Sequence, residues 1–122
     1  VNLVNSILDY KKGEINLLPY QSIKEKDFLK INIDLVFNSR SLCEMSETTV
    51  KEYFNCIKNI DPDWIYHENS NFLLFPNSER HIEVLGSEFP IDKKRFYLEF
   101  VNITPFTGGK GRYREFLYSK TK

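Results

Sequence analysis

Arg95-Phe96-Tyr97-Leu98-Glu99-Phe100-Val101-Asn102-Ile103 is the stretch whose reading decides the fold. With a period of two, Phe96, Leu98 and Phe100 point one way and Tyr97, Val101 and Ile103 the other, so both faces call for cover. A strand of that kind is expected at the centre of a sheet. The neighbouring segments supply candidates for the rest of it: 31–37, 64–67, 72–75, 80–85 and 112–119. Short polar connections at 68–71 and 76–79 suit antiparallel hairpins.

Two helices are expected to cover one side of this sheet. Ser46 is a good N-cap, Glu47 suits the first turn, and Val50, Tyr53, Phe54 and Ile57 recur on one helical face up to about Asn59. Leu3, Val4, Ile7 and Leu8 suggest a second helix over 3–12, with Lys11 and Lys12 in its last turn and Gly13 just past its end. Residues 15–27 contain Pro19 and read as a loop. In 31–37, Ile31, Ile33, Leu35 and Phe37 alternate with polar residues, which predicts a half-buried strand with those four facing inward. Together these elements predict one α+β domain over 1–122, with a mostly antiparallel sheet of five or six strands and two helices on one face.

Composition narrows the function class. The chain of 122 residues has 17 basic and 17 acidic side chains, and its hydrophobic fraction of 41% suits a folded globular protein. No run approaches the roughly 20 apolar residues of a membrane span. Val1–Ser6 lacks the basic and apolar regions of a signal peptide, and a cytoplasmic location is expected. The lack of alanine and the abundance of Lys, Asn, Ile and Phe fit an AT-rich, bacterial coding bias. Cys43 and Cys56 lack metal or redox spacing and read as reduced, small apolar side chains. Asn102-Ile103-Thr104 matches a glycosylation sequon but falls within a strand and is discounted.

The zero net charge conceals a segregation. Residues 44–92 hold ten acidic side chains against Lys51, Lys58 and Arg80, whereas the last sixteen residues hold Lys110, Arg112, Arg114, Lys120 and Lys122 against Glu115. Clustered like charge steers association and rejects wrong partners. Glu47 and Glu52 on the main helix, Asp61 and Asp63 at the following corner, and Trp64, Tyr66 and Glu68 beyond it form the candidate partner-binding set. All four corner and helix carboxylates are expected to be solvated.

Other features carry weaker chemical signals. His67 and His81 are the only histidines; general acid–base cleavage of RNA by this pair is conceivable, but both are expected on the solvent side of their strands. Gly108-Gly109-Lys110-Gly111-Arg112-Tyr113-Arg114 lacks the spacing of a phosphate-binding loop and reads as a hairpin loop. No cofactor or metal is implied.

The reading that fits best is a non-catalytic inhibitor or immunity-type protein that covers the active site of a basic toxin, a nuclease in the first instance. Two alternatives stand beside it. One is a small metal-independent ribonuclease or toxin domain using His67 and His81. The near-neutral charge and large acidic segment count against it. The other is a phage or plasmid accessory protein that binds nucleic acid through its basic tail, against which stands the absence of a recognised binding motif.

Overall fold

The computed structural model describes residues 2–3, 11–13, 16–17, 31–72, 84–104 and 112–122. The chain divides into two compact units, residues 1–32 and 33–122. In the first, β1 (Asn2–Leu3) pairs in parallel with β2 (Asn16–Leu17). The helix expected over 3–12 is therefore not formed at its ends: Leu3 is in a strand and Lys12–Gly13 form a turn, with Gly13 at a φ of 82°. Short apolar runs do not by themselves distinguish helix from strand. Positions 4–10 lie outside the described residues, as do most of 15–27.

The second unit is α+β, with a four-stranded mixed sheet and one α-helix among its described residues. In chain order these are β3 (Leu35–Ser39), α1 (Glu47–Ile60), β4 (Trp64–Ser70), β5 (Phe96–Ile103) and β6 (Tyr113–Lys120). Across the sheet the order is β3-β4-β6-β5, with β3 parallel to β4 and the other two pairings antiparallel. Five or six mostly antiparallel strands and two helices were expected. Of the missing strands, 73–75 and 80–83 lie outside the described residues, while Leu85 leads into a short 3-10 helix, Gly86–Glu88.

The main helix forms where its cap and apolar spacing require. Ser46 Oγ accepts the Thr49 amide at 3.2 Å, and Val50, Phe54 and Ile57 are buried on one face. The helix ends at Asp61, which takes a left-handed conformation with φ 55° and donates its amide to Ile57 O at 3.0 Å. Those three apolar residues share a core with Ile65 and Phe96 from the sheet, and with Val84, Phe89 and Ile91 from the segment before β5. One face of the sheet is thus covered. Gly86 completes the closure, because a Cβ there would meet the Phe116 ring at 3.2 Å.

The strand phases differ from expectation. Val36 on β3 and Ile65, His67 and Asn69 on β4 turn toward the covered side, whereas Leu35, Phe37, Trp64 and Tyr66 turn away from it. Leu35 and Phe37 are consequently 49% and 65% exposed instead of buried. β5 is also displaced from its expected central place: among the described residues it is an edge strand, and every one of its residues after Phe96 is exposed. The C-terminal strand β6 occupies the centre instead, because it pairs on both sides.

Candidate functional site

The sheet face opposite α1, which no described element of this unit covers and which is called the uncovered face below, gathers several large exposed side chains. Leu35 and Phe37 of β3 are in register with Trp64 and Tyr66 of β4, which are in register with Ser119 and Leu117 of β6. Beyond these lie Tyr97 and Phe100 of β5. Phe37 and Tyr66 stack with centroids 5.2 Å apart and planes 4° from parallel. Trp64 and Tyr97 remain 42% and 63% exposed. Exposed apolar side chains clustered on one sheet face make it the candidate site.

Carboxylates are interleaved with these rings. Glu68 of β4, Glu115 of β6 and Glu99, at the register shift in β5, share the face. Each is held: Tyr66 donates its hydroxyl to Glu115 Oε2 at 2.8 Å, Ser119 Oγ donates to Glu99 Oε1, and Arg40 bonds Glu68 through Nε at 2.9 Å. Burial and, secondarily, the hydrogen bond to Glu115 push the Tyr66 phenol up to about 12, so it stays a donor. Among the described residues Arg40 is the single cation here. Its left-handed φ of 58° is held by its amide bond to Glu68 O at 2.7 Å and by its guanidinium, which lies 5.1 Å from the Tyr113 ring centre. Three carboxylates against one guanidinium leave the face acidic.

The residues expected from sequence to form one partner-binding set fall into three groups. Trp64, Tyr66 and Glu68 lie together on the uncovered face, with Asp63 exposed at the start of β4. Glu47 and Glu52 are exposed on α1, which packs against the opposite face, and Glu47 pairs with Lys51 at 2.6 Å. Asp61, expected to be fully solvated, is only partly so and is ion-paired. Arg95 and Lys120 each approach its Oδ2 to 2.6 Å, and the hydrogen bonds from these two hold the carboxyl at about 2. Folding therefore brings Lys120 of the basic tail, together with Arg95, onto Asp61 of the acidic middle.

His67 is the clearest reversal. Expected toward solvent, it is 1% exposed, because Ile65, His67 and Asn69 form the inward phase of β4. Its ring lies 4.6 Å from that of Phe116 and 4.8 Å from that of Phe89, and neither nitrogen has a hydrogen-bond partner. Burial alone lowers its pKa to about 4, so it is neutral near pH 7. Neighbouring Asn69 is buried but satisfied: its Oδ1 accepts the Cys43 amide at 3.1 Å and its Nδ2 donates to Asn38 Oδ1 at 2.9 Å. A general acid–base must reach its substrate, and His67 faces the core. His81 lies outside the described residues.

Other candidates are placed as follows. Cys43 is a buried free thiol whose pKa burial raises, and Cys56 is half-buried and free. Residues 108–111 lie outside the described residues. Of the basic residues after them, Arg114 lies on the covered side of β6, where the sheet extends past the helix. Among the described residues no three His, Cys, Asp or Glu side chains converge on a metal position. None of their helices is long and apolar enough to cross a membrane. No family model matches the chain, and neither a curated protein nor a solved structure matches it.

Leu35, Phe37, Tyr97 and Phe100 were not in the sequence-derived set. Their apolar character assigned them to the core. The signal that identifies them is an excess: both phases of β5, and the wrong phase of β3, carry more apolar area than one covered face accommodates.

Proposed function

We propose that this chain is a non-catalytic binding protein that docks a basic protein partner on the uncovered sheet face. The observation that carries the reading is the exposure of Leu35, Phe37, Trp64, Tyr97 and Phe100 around three carboxylates, while a histidine and an asparagine are buried on the other side of the same strands. Aromatic anchors amid acidic groups suit a cationic surface, where charge sets the encounter rate and the rings set the lifetime. The most specific form of the reading is an inhibitor or immunity-type protein, acting in the cytoplasm, that occludes a basic toxin such as a nuclease. The buried position of His67 favours it over a ribonuclease built on His67 and His81.

A photo-crosslinking residue placed at Phe37 in the living source cell tests this, with the same residue at Glu52 on the far side as the control. The expected adduct forms from position 37 only, with a basic protein whose nucleic-acid hydrolysis is blocked at equimolar inhibitor. In purified form, Glu68→Gln/Glu99→Gln/Glu115→Gln slows association and flattens its salt dependence, and Trp64→Ala speeds dissociation. Equal adducts from both positions, or kinetics unchanged in the folded triple variant, would remove this face from the interface.

A further inference from the structure

The edge strand β5 presents a second surface of opposite charge, independent of the acidic face. On the helix-covered side, where α1 no longer reaches, Leu98, Val101, Phe116 and Tyr118 line an open cleft of about 560 Å³. Lys93, in the turn before β5, and Arg114, in register with Ile103 at the far end of the strand, also line it. Neither cation has an ion-pair partner among the described residues. The remaining apolar residue of this phase, Ile103, is 58% exposed.

The backbone beside the cleft is also open. The Thr104 amide donates to Tyr113 O at 3.3 Å and so points into the β6 ladder. In an antiparallel ladder successive residues alternate in direction, so Val101 and Ile103 direct their N–H and C=O groups away from β6. Among the described residues β6 is the sole ladder partner of β5. Among the described residues one strand thus combines an edge without a ladder partner, apolar side chains on both faces and two cations without ion-pair partners beside its cleft. Uncovered edges of this length invite pairing, and proteins ordinarily blunt them with lysines or prolines. The segment Phe96–Ile103 contains neither.

We infer that β5 is completed by an extended peptide segment of a partner, added antiparallel to its outer edge, with alternate apolar side chains in the cleft and acidic residues meeting Lys93 and Arg114. Main-chain bonds supply affinity in this mode and the side-chain pockets supply sequence preference. A segment of about six residues covers the open length at about 3.4 Å each. The register shift at Glu99 restricts the pairing to partners whose register accommodates a bulge. Charge selects the class of segment: the cleft takes acidic sequences, which the uncovered face repels.

Panning a phage library of random ten-residue peptides against the immobilised full chain tests this, followed by fluorescence anisotropy with the enriched peptides. The expected peptides alternate apolar and polar residues, carry Asp or Glu, and lose at least tenfold in affinity on Lys93→Glu/Arg114→Glu, a variant checked for folding by circular dichroism. Bound peptide is also expected to slow amide exchange at Val101 and Ile103 at least tenfold. Three results would each overturn the inference: no enrichment, enrichment of peptides indifferent to the double variant, or binding that leaves both amides exchanging freely.

Discussion

The two faces of β4 form a sharp contrast within seven residues. Inward, Ile65, His67 and Asn69 are buried, with the His67 ring against Phe89 and beside Phe116 of the neighbouring strand; outward, Trp64, Tyr66 and Glu68 are turned away from that core. The side facing the core carries the histidine and the amide, and the side facing solvent carries the tryptophan and the tyrosine. Burial energetics alone favour the reverse, since a buried polar atom without a partner costs about 1–3 kcal/mol and exposed rings forfeit their transfer free energy. The inversion is the observation on which the proposed docking role of the outward face rests.

The largest effect expected from this contrast is in the core. Phe116→Ala should cost about 3–5 kcal/mol, because Phe116 is buried against His67 and the close approach of Gly86. Phe37→Ala, the same change on the open face, should alter stability by no more than about 0.5 kcal/mol. Urea unfolding of the two variants makes the comparison, and similar losses would show that the outward face is part of the fold.

Acid should reveal the histidine next. A folded pKa of about 4 against the model-peptide 6.5 means that protons bind preferentially to the unfolded chain. His67 therefore leaves stability intact above pH 6.5 and erodes it as pH falls toward 4, by about 2 kcal/mol between pH 7 and 5. His67→Leu should flatten the profile in that window and, with no unsatisfied nitrogen left to bury, raise stability at pH 7 by about 1 kcal/mol. Denaturant midpoints at pH 7 and 5 measure both; an unchanged slope in the Leu variant would assign the acid sensitivity elsewhere.

Asp61 acts in a lower window with the same sign. Its folded pKa is depressed to about 2, so its stabilisation is present above its ordinary value and is lost only as pH falls below 3.8. Asp61→Asn keeps a residue tolerant of the left-handed conformation while removing the charge shared by Arg95 and Lys120. The expected cost is about 1 kcal/mol at pH 7, since the group is partly solvated. Double-variant cycles with Arg95→Gln and Lys120→Gln apportion it. The smallest effect is expected for Trp64→Ala, within about 0.5 kcal/mol in the thermal unfolding of the free protein. A Trp64 variant that melts well below the parent protein would place that ring in the core.

Positions of elements were more legible than their orientation. The Ser46 cap and the spacing of Val50, Phe54 and Ile57 located α1 to within a residue, since helical periodicity leaves little choice about which face is apolar. The strand at 96–103 was also placed to its ends, and 112–119 against the observed 113–120. A period of two, however, does not say which phase faces the core when both carry apolar groups, and a phase error moves every side chain to the other face. That is why Phe37 and His67 exchanged their expected environments. For the candidate site, Trp64, Tyr66 and Glu68 were adjacent in sequence and shared a phase, whereas Asp61 required knowledge of where Arg95 and Lys120 end up. β5 appeared central because its composition is that of a strand covered on both sides.

The place of β6 between β4 and β5 imposes an order on assembly. During synthesis β3, α1, β4 and β5 are all made before the strand that joins them, so β4 and β5 each wait with an open edge. The sheet cannot close until Tyr113–Lys120 has left the ribosome, and the nascent intermediate exposes unpaired edges and the apolar residues of both faces. Folding of the sheet is thereby tied to the emergence of β6, and a nascent chain stalled before that strand is the form most exposed to aggregation and to capture by chaperones.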